Sequence, residues 1–145
     1  MHRLEQQAED LASQNDPEGA AQAIGKAAMM ADWLLSESRV ATNKKIYEAA
    51  SLLYRAQELG FRALALFHQT GGIPPAPTGV CHYVIQGSKK LNRSMKLLME
   101  NPHTPNEDLQ IRHIHMVEKN SEWDDLLQGL YEDFACPIVP NGGAE

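Results

Sequence analysis

The sequence predicts an all-α fold, a compact bundle of five or six helices joined by short loops that contain proline and glycine. Apolar residues recur at the i, i+3, i+4 and i+7 spacing of a helix in each long segment. Aromatic residues make up only 6% of the chain, while alanine, leucine and methionine are frequent. This composition favours helix packing over sheet packing. The one strand-like run, HYVIQ, lies inside a helical pattern.

Two helices are predicted at the start of the chain. A short leading helix covers 4–12 and has Leu4, Ala8 and Leu11 on one side. Asp16 as an N-cap and Pro17 at the first helical position predict a second helix over 17–38. The apolar face of this second helix comprises Ala20, Ile24, Ala27, Ala28, Ala31, Leu34 and Leu35.

The longest predicted helix covers 42–69, with Thr42 as its N-cap, and we expect it to be the central helix. Its apolar stripe has a seven-residue period and comprises Ile46, Leu53, Gly60 and Phe67. The flanking positions are small, namely Ala49, Ala56 and Ala63. Small side chains allow a neighbouring helix to approach closely. Gly71-Gly72 and the segment IPPAP then end the helix and form an extended crossover.

Two or three further helices are predicted after the crossover. Thr78 caps a helix over 79–100, whose stripe comprises Val80, Val84, Gly87, Leu91, Met95 and Leu98. Thr104, Pro105 and Glu107 form a capping box with proline at the first helical position. We expect the helix that starts there to reach Lys119. A second start at Ser121 predicts a last helix, whose apolar face comprises Trp123, Leu126, Leu127, Leu130 and Phe134.

These elements predict a single α-helical domain over 1–140 and a flexible tail over 141–145. A tetratricopeptide-like repeat of the two alanine-rich helices is the alternative, but the fixed 34-residue period of that repeat is absent. No apolar run is long enough to span a membrane, and the charged first residues do not form a signal peptide. Cys81 and Cys136 are predicted to be free thiols in a reducing compartment, with one disulfide between them as the alternative. The expected location is therefore cytoplasmic.

The net charge of −6 at pH 7 argues against broad electrostatic binding to nucleic acid or to an anionic membrane. One basic stripe departs from this balance: Lys89, Lys90, Arg93 and Lys96. It is a candidate binding surface for a phosphate backbone or an acidic partner helix. The simpler interpretation is a solvated face, or one neutralised by the acidic end of the same chain.

The stretch RALALFH contains the most specific candidate for catalysis, Arg62 and His68. It resembles the mark of HEPN-type metal-independent ribonucleases, which are small all-α domains. The resemblance implies a homodimer in which His68 transfers protons and Arg62 stabilises phosphate charge. Within one chain, six residues of helix separate the two side chains by about 240°. The simpler interpretation is that Arg62 pairs with Glu58 and that His68 only ends a packed helix.

No metal site and no cofactor are predicted. His113 and His115 point in nearly opposite directions on a helix, and Cys81 next to His82 is a weak nucleophile–base pair. Methionines at 29, 30, 95 and 99 are expected to fill the core, with an adaptable groove as the alternative. Trp33 and Trp123 are expected to be helix anchors.

The function predicted from these features is a non-catalytic protein-interaction module, such as an adaptor, a subunit or a regulatory domain. Its partner is another protein of unknown identity, and a homodimer is an open alternative. A bundle that binds a small molecule is also open. The alternative function is a HEPN-like ribonuclease or nucleotidyltransferase-partner domain that uses Arg62 and His68. Nucleic acid is a partner only under that alternative.

Overall fold

The computed structural model describes residues 1–137, and these residues form an all-helical structure. The described chain contains α1 (His2–Ser13), α2 (Pro17–Glu37), α3 (Ala41–Gln69), α4 (Thr78–Glu100) and α5 (Glu107–Asp133). The all-α prediction is confirmed, and five packed helices fall within the predicted range. The predicted tail at 141–145 lies outside the described residues.

Helix α3 lies at the centre, and α2 and α4 run antiparallel to it. On α2, Gly25 lies beside Glu58 while Asp32 accepts a hydrogen bond from Ser51. On α4, Ser94 donates to the carbonyl of Ala49. Helix α5 runs antiparallel to α4 and parallel to α3. Helix α1 packs against α2 and reaches across to the seam between α3 and α5.

The small residues predicted for α3 are the contact surface of the bundle. Ala49, Ala56 and Ala63 are fully buried, as are Ile46 and Leu53 of the seven-residue stripe. Helix α2 presents six buried alanines, namely Ala20, Ala21, Ala23, Ala27, Ala28 and Ala31. Alanine on both sides of an interface lets helix backbones come close, so many weak dispersion contacts replace a few large side chains.

The predicted N-cap residue is confirmed for α2 and wrong for α3 and α4. Asp16 caps α2 by accepting a hydrogen bond from the backbone N–H of Gly19 at 2.9 Å, and Pro17 is the first helical residue. Thr42 lies inside α3, because the helix already begins at Ala41. Thr78 is the first residue of α4 and does not cap it. A local motif therefore locates these two starts only to within a residue or two.

The predicted helix start at Ser121 is wrong, because α5 is continuous from Glu107 to Asp133. Asn120, just before the expected break, is buried and its Nδ2 donates to the Met116 carbonyl and to Ser94 Oγ. This side chain bonds the preceding helical turn and α4, so it holds the helix together at the point where a break was expected.

The first turn of α5 is capped, but the residues that were predicted to form its capping box do not do so. Asn106 is the N-cap, and its Oδ1 accepts a hydrogen bond from the N–H of Leu109 at 3.0 Å. The hydroxyl of Thr104 instead bonds Asn43, near the start of α3. The loop 101–106 is thereby tied to α3 by a contact between residues far apart in the sequence.

The two cysteines are joined in a disulfide, which corrects the expectation of free thiols. The antiparallel arrangement of α4 and α5 brings the first turn of α4 next to the end of α5. The Cα atoms of Cys81 and Cys136 are 5.8 Å apart although 55 residues separate them in the sequence. The sequence separation of two cysteines carries no information about such a pairing, because the topology decides it.

None of the five helices in the described part of the chain is long and apolar enough to cross a membrane.

We predict that Gly60→Ala lowers the free energy of unfolding by about 1–2 kcal/mol. A Cβ at Gly60 would lie 2.8 Å from the Trp123 ring and 3.2 Å from Leu127. The cost of this overlap exceeds the gain of about 1 kcal/mol that alanine brings to a helix interior. Urea denaturation followed by circular dichroism measures the change.

The matched control is Gly129→Ala in α5, where a new Cβ meets no atom within 4 Å. This variant has the same gain in helix propensity without the overlap, so it stabilises the protein by about 0.5–1 kcal/mol. A Gly60→Ala protein as stable as Gly129→Ala would show that α3 and α5 are not in close contact there.

Candidate functional site

Arg62 and His68 are both exposed on the last turns of α3, and one chain does not bring them together. The Arg62 Nη2 atom donates to Glu58 Oε2 at 3.0 Å, the pairing expected under the structural interpretation. Glu58 also accepts from Arg55 at 3.0 Å. Arg62 lines a small surface pocket with Glu18 and Tyr83, and His68 does not contribute to it. The catalytic interpretation therefore depends on a second copy of the chain.

The basic stripe on α4 is solvated rather than neutralised within the described chain. Arg93 and Lys96 are exposed, and Lys89 and Lys90 are half-buried. None of the ion pairs within residues 1–137 includes any of these four side chains. These cations stay available to a partner in the described structure, as the binding hypothesis requires.

The remaining histidine and cysteine candidates have structural surroundings. The buried Nε2 of His113 lies 2.8 Å from the Leu98 carbonyl, so this ring bridges α4 and α5. Cys81 is oxidised in the disulfide and cannot act as a nucleophile beside His82. Among residues 1–137 there is no group of three or more histidine, cysteine and acidic side chains arranged to hold a metal ion.

A buried polar cluster absent from the sequence-based predictions joins α1, α3 and α5. At its centre is Glu5, which is 5% exposed. Tyr54 donates its hydroxyl proton to Glu5 Oε1, and Arg112 Nη1 lies 3.6 Å from the same oxygen. His115 Nε2 lies 3.2 Å from Oε2. A carboxylate can only accept, so the Nε2 atom of His115 carries a proton.

The cluster holds Tyr54 in its neutral form. Burial, the negative charge of Glu5 and the hydrogen bond to Glu5 raise the pKa of Tyr54 well above its ordinary value. Both carboxylate oxygens of Glu5 are engaged by side chains of other helices. The arrangement therefore ties α1 to α3 and α5 through side chains. Neither carboxylate oxygen of Glu5 is free to act as a base.

No short-range signal in the sequence could have revealed this cluster. Glu5 is 107 residues from Arg112 and 49 from Tyr54. The only local sign is that Glu5 lies beside Leu4 and Ala8, at the edge of the predicted apolar side of α1. The long-range partners become visible only when the helices are packed.

The expectation that methionines 29, 30 and 99 fill the core is wrong, and so is the expectation that Trp33 is a helix anchor. Met29 is 63% exposed, Met30 45% and Trp33 61%. Their spacing with Lys26 is i, i+3, i+4 and i+7, so the four side chains form one face of α2, which we call the α2 surface. They surround a shallow depression of about 290 Å³. The alanines of α2 occupy the core instead.

A second apolar surface lies between the end of α1 and the second half of α5, and we call it the groove. Its apolar lining comprises Phe61, Leu64, Trp123, Leu126 and Leu130, with Ala12 and Ser13 at the end of α1. It encloses about 400 Å³. Trp123 packs edge-on against Phe61 at a centroid distance of 5.0 Å, which confirms the expectation that it anchors α5.

The rim of the groove is charged. Lys119 Nζ donates to Glu9 Oε1 at 2.8 Å and to Glu122 Oε2 at 3.2 Å. Burial of Lys119 opposes its charge, but the two carboxylates outweigh this effect and raise the pKa of its ammonium group. The three charges together leave the rim with one excess negative charge.

No protein-family model matches the chain, and neither a curated protein nor a solved structure is similar to it.

We predict that Tyr54→Phe lowers the free energy of unfolding by about 1–2 kcal/mol near neutral pH, because buried Glu5 loses a hydrogen-bond donor. The difference in the free energy of unfolding between the variant and the wild type becomes smaller at alkaline pH. The pKa of Tyr54 is raised in the folded protein, so above about pH 10 the unfolded chain binds fewer protons than the folded one and the wild type loses stability. Tyr54→Phe lacks this contribution.

Chemical denaturation of both proteins from about pH 7 to about pH 11 measures this difference. The stability gap is constant up to about pH 10 and narrows above it. Tyr47→Phe, on the same helix, is the control and changes stability by no more than about 0.5 kcal/mol. A gap that widens with pH would contradict the prediction.

Proposed function

We propose that this chain is a non-catalytic protein-interaction module, an adaptor, subunit or regulatory domain that binds another protein through the α2 surface. The observation that carries the proposal is the exposure of Met29, Met30 and Trp33 on one helix face. Isolated exposed apolar residues are common, but a contiguous group that includes tryptophan is typical of an interface. Tryptophan is also enriched among the residues that dominate binding energy.

The chemistry of the α2 surface suits a helix or loop of a partner. Methionine side chains are flexible and polarisable, so they adapt to differently shaped apolar partners. Lys26 adds one cation at the edge of the depression. A partner that places an apolar side chain over Trp33 and a carboxylate near Lys26 would satisfy both features.

The core of α2 supports the same proposal. Alanine at the buried positions already packs α2 against its neighbours, so the large side chains on the outer face add little to the packing of the described chain. Their substitution is therefore expected to cost little stability. The contribution of Met29, Met30 and Trp33 would then lie in binding.

We predict that a photo-reactive amino acid placed at position 33 cross-links a specific protein in cells that produce this chain. The same amino acid at Gln128, an exposed polar position of α5 away from α2, does not. The cross-linked protein is identified by mass spectrometry and purified for a binding assay. Trp33→Glu then weakens binding at least about 100-fold, as expected for a central tryptophan, and Gln128→Glu leaves it within about twofold.

Circular dichroism and urea denaturation check that Trp33→Glu folds, with a change in stability of about 0.5 kcal/mol or less. Equal cross-linking at positions 128 and 33, or unchanged affinity of the Trp33→Glu protein, would refute a function of the α2 surface in binding.

The alternative proposal is the HEPN-like ribonuclease or nucleotidyltransferase-partner domain with Arg62 and His68 at a homodimer interface. It is supported by the exposure of both side chains on the same end of α3. It requires a dimer by light scattering and metal-independent RNA cleavage that is lost in His68→Ala. The protein-interaction proposal expects no cleavage by either protein, so one assay on the purified chain separates the two.

The cytoplasmic location stays a proposal. The disulfide between Cys81 and Cys136 bears on it, because this bond requires a compartment that is not reducing. Disulfides persist in oxidising compartments and are rare in a reducing cytosol. Alkylation of thiols in intact cells, followed by mass spectrometry of the two cysteine peptides, decides the matter. Alkylated cysteines would support the cytoplasmic location, and an intact Cys81–Cys136 bond would exclude a reducing one.

A further inference from the structure

We propose that the groove between α1, α3 and α5 binds a basic amphipathic helix of a partner protein. This site is separate from the α2 surface and rests on different observations. The apolar floor of Phe61, Leu64 and Trp123 would take the apolar face of the helix. The acidic flank of α5, which comprises Glu118, Glu122 and Asp125, would bind lysine or arginine side chains at the edge of that face.

Helix α1 already lies next to the first part of α5 in the described chain. It packs against α2 with Ala8 buried, and the side chains of Glu5 and Glu9 reach across to α3 and α5. It is 12 residues long and α5 has 27, so α1 covers about 18 Å of a helix of about 40 Å. The groove lies between the last turns of α1 and the second half of α5, with Phe61 and Leu64 of α3 as its floor.

The apolar lining of the groove has the spacing that a docked helix needs. On α5, Trp123, Leu126 and Leu130 are separated by three and four residues, so they form one continuous ridge. Leu126 is 51% exposed although its neighbour Leu127 is fully buried in the core. Grooves of this kind bind the i, i+3 and i+7 side chains of a helix.

The side chains of α5 that meet α1 differ in charge from those on the flank beside the groove. Arg112, His115 and Lys119 are cationic or proton-donating, and α1 meets them with the carboxylates of Glu5 and Glu9. Helix α1 is therefore acidic where α5 is basic. Charge complementarity between α5 and the helix that lies along it is already present in the structure.

Beside the groove, α5 is acidic instead. Glu118, Glu122 and Asp125 are all exposed, and their i, i+4 and i+7 spacing places them on one side of the helix. Of these three, only Glu122 has an ion pair among residues 1–137, and it shares Lys119 with Glu9. The helix that complements this flank is basic, because an acidic one would place like charges together.

Two designed peptides of about 16 residues test the proposal. Both carry leucine at i, i+3, i+4 and i+7, and they differ only in having lysine or glutamate at the flanking positions. The protein used is Trp33→Phe, in which Trp123 is the single remaining tryptophan of the two in the chain. Fluorescence of Trp123 then reports occupation of the groove and is independent of binding at the α2 surface.

We expect the lysine peptide to shift the Trp123 emission and to bind at least about tenfold more tightly than the glutamate peptide. Raising the salt concentration from about 50 to about 500 mM weakens the lysine peptide and narrows the difference. The triple variant Glu118→Lys, Glu122→Lys, Asp125→Lys reverses the preference between the peptides.

Leu126→Asp tests the apolar part of the groove and weakens the lysine peptide at least about tenfold, even though it adds an acidic residue. Asn92→Asp is the matched control, since it adds the same charge to an exposed position of α4 outside the groove. It leaves binding within about twofold. Circular dichroism confirms that both variants fold.

Three results would overturn the proposal: no binding of the lysine peptide, equal binding of the two peptides, or unchanged binding by Leu126→Asp. A fourth is a dimer in light scattering that Leu126→Asp converts to a monomer, because a second copy of the chain would then occupy the groove. Failure of these tests leaves the α2 surface untouched, since its own test uses substitutions at position 33.

Discussion

The close packing of small residues around α3 is the constraint on which the rest of the structure depends. Both α2 and α3 bury alanines where they pack together, and Gly87 of α4 lies against the backbone carbonyl of Ala56, where an added Cβ would be 3.3 Å from the oxygen. A helix interface built from alanine and glycine has little side-chain volume and must bring backbones together to exclude water. Each helix is then fixed in position by contacts that tolerate little added volume.

The small volume of the side chains that α2 buries explains why the large apolar side chains of this helix remain on the outside. Helix α2 fills its core positions with alanine, so Met29, Met30 and Trp33 have no place within the described bundle. The groove has a related origin, because α1 ends well before α5 does. Both surfaces follow from how the core is built and how far α1 reaches, and neither depends on a loop.

The sequence predicted the parts of the fold that local patterns encode. The seven-residue stripe of α3 gave the correct buried face, since Ile46, Leu53 and their alanine neighbours face two packed helices. The Asp16–Pro17 start of α2 was also correct, because a cap forms within one turn. In α2, however, apolar residues occur on nearly every side, and periodicity could not distinguish the alanines that pack inside from the methionines that do not.

The errors concern contacts between residues far apart in the sequence. Cys81 and Cys136 meet because α4 and α5 are antiparallel, and Asn120 supports a continuous α5 because Ser94 of α4 lies beside it. The partners of Glu5 come from two other helices. The topology of the helices determines each of these pairings. Local propensity and residue spacing do not encode that topology.

Helix α1 connects the two apolar surfaces. At its start, the backbone nitrogen of Met1 lies 3.8 Å from the Met30 sulfur of the α2 surface. At its end, Ala12 and Ser13 form one wall of the groove. Between them, Glu5 holds the helix to α3 and α5 through Tyr54 and Arg112. Displacement of α1 would remove a neighbour from the first surface and a wall from the second, so the buried Glu5 cluster maintains the shape of both.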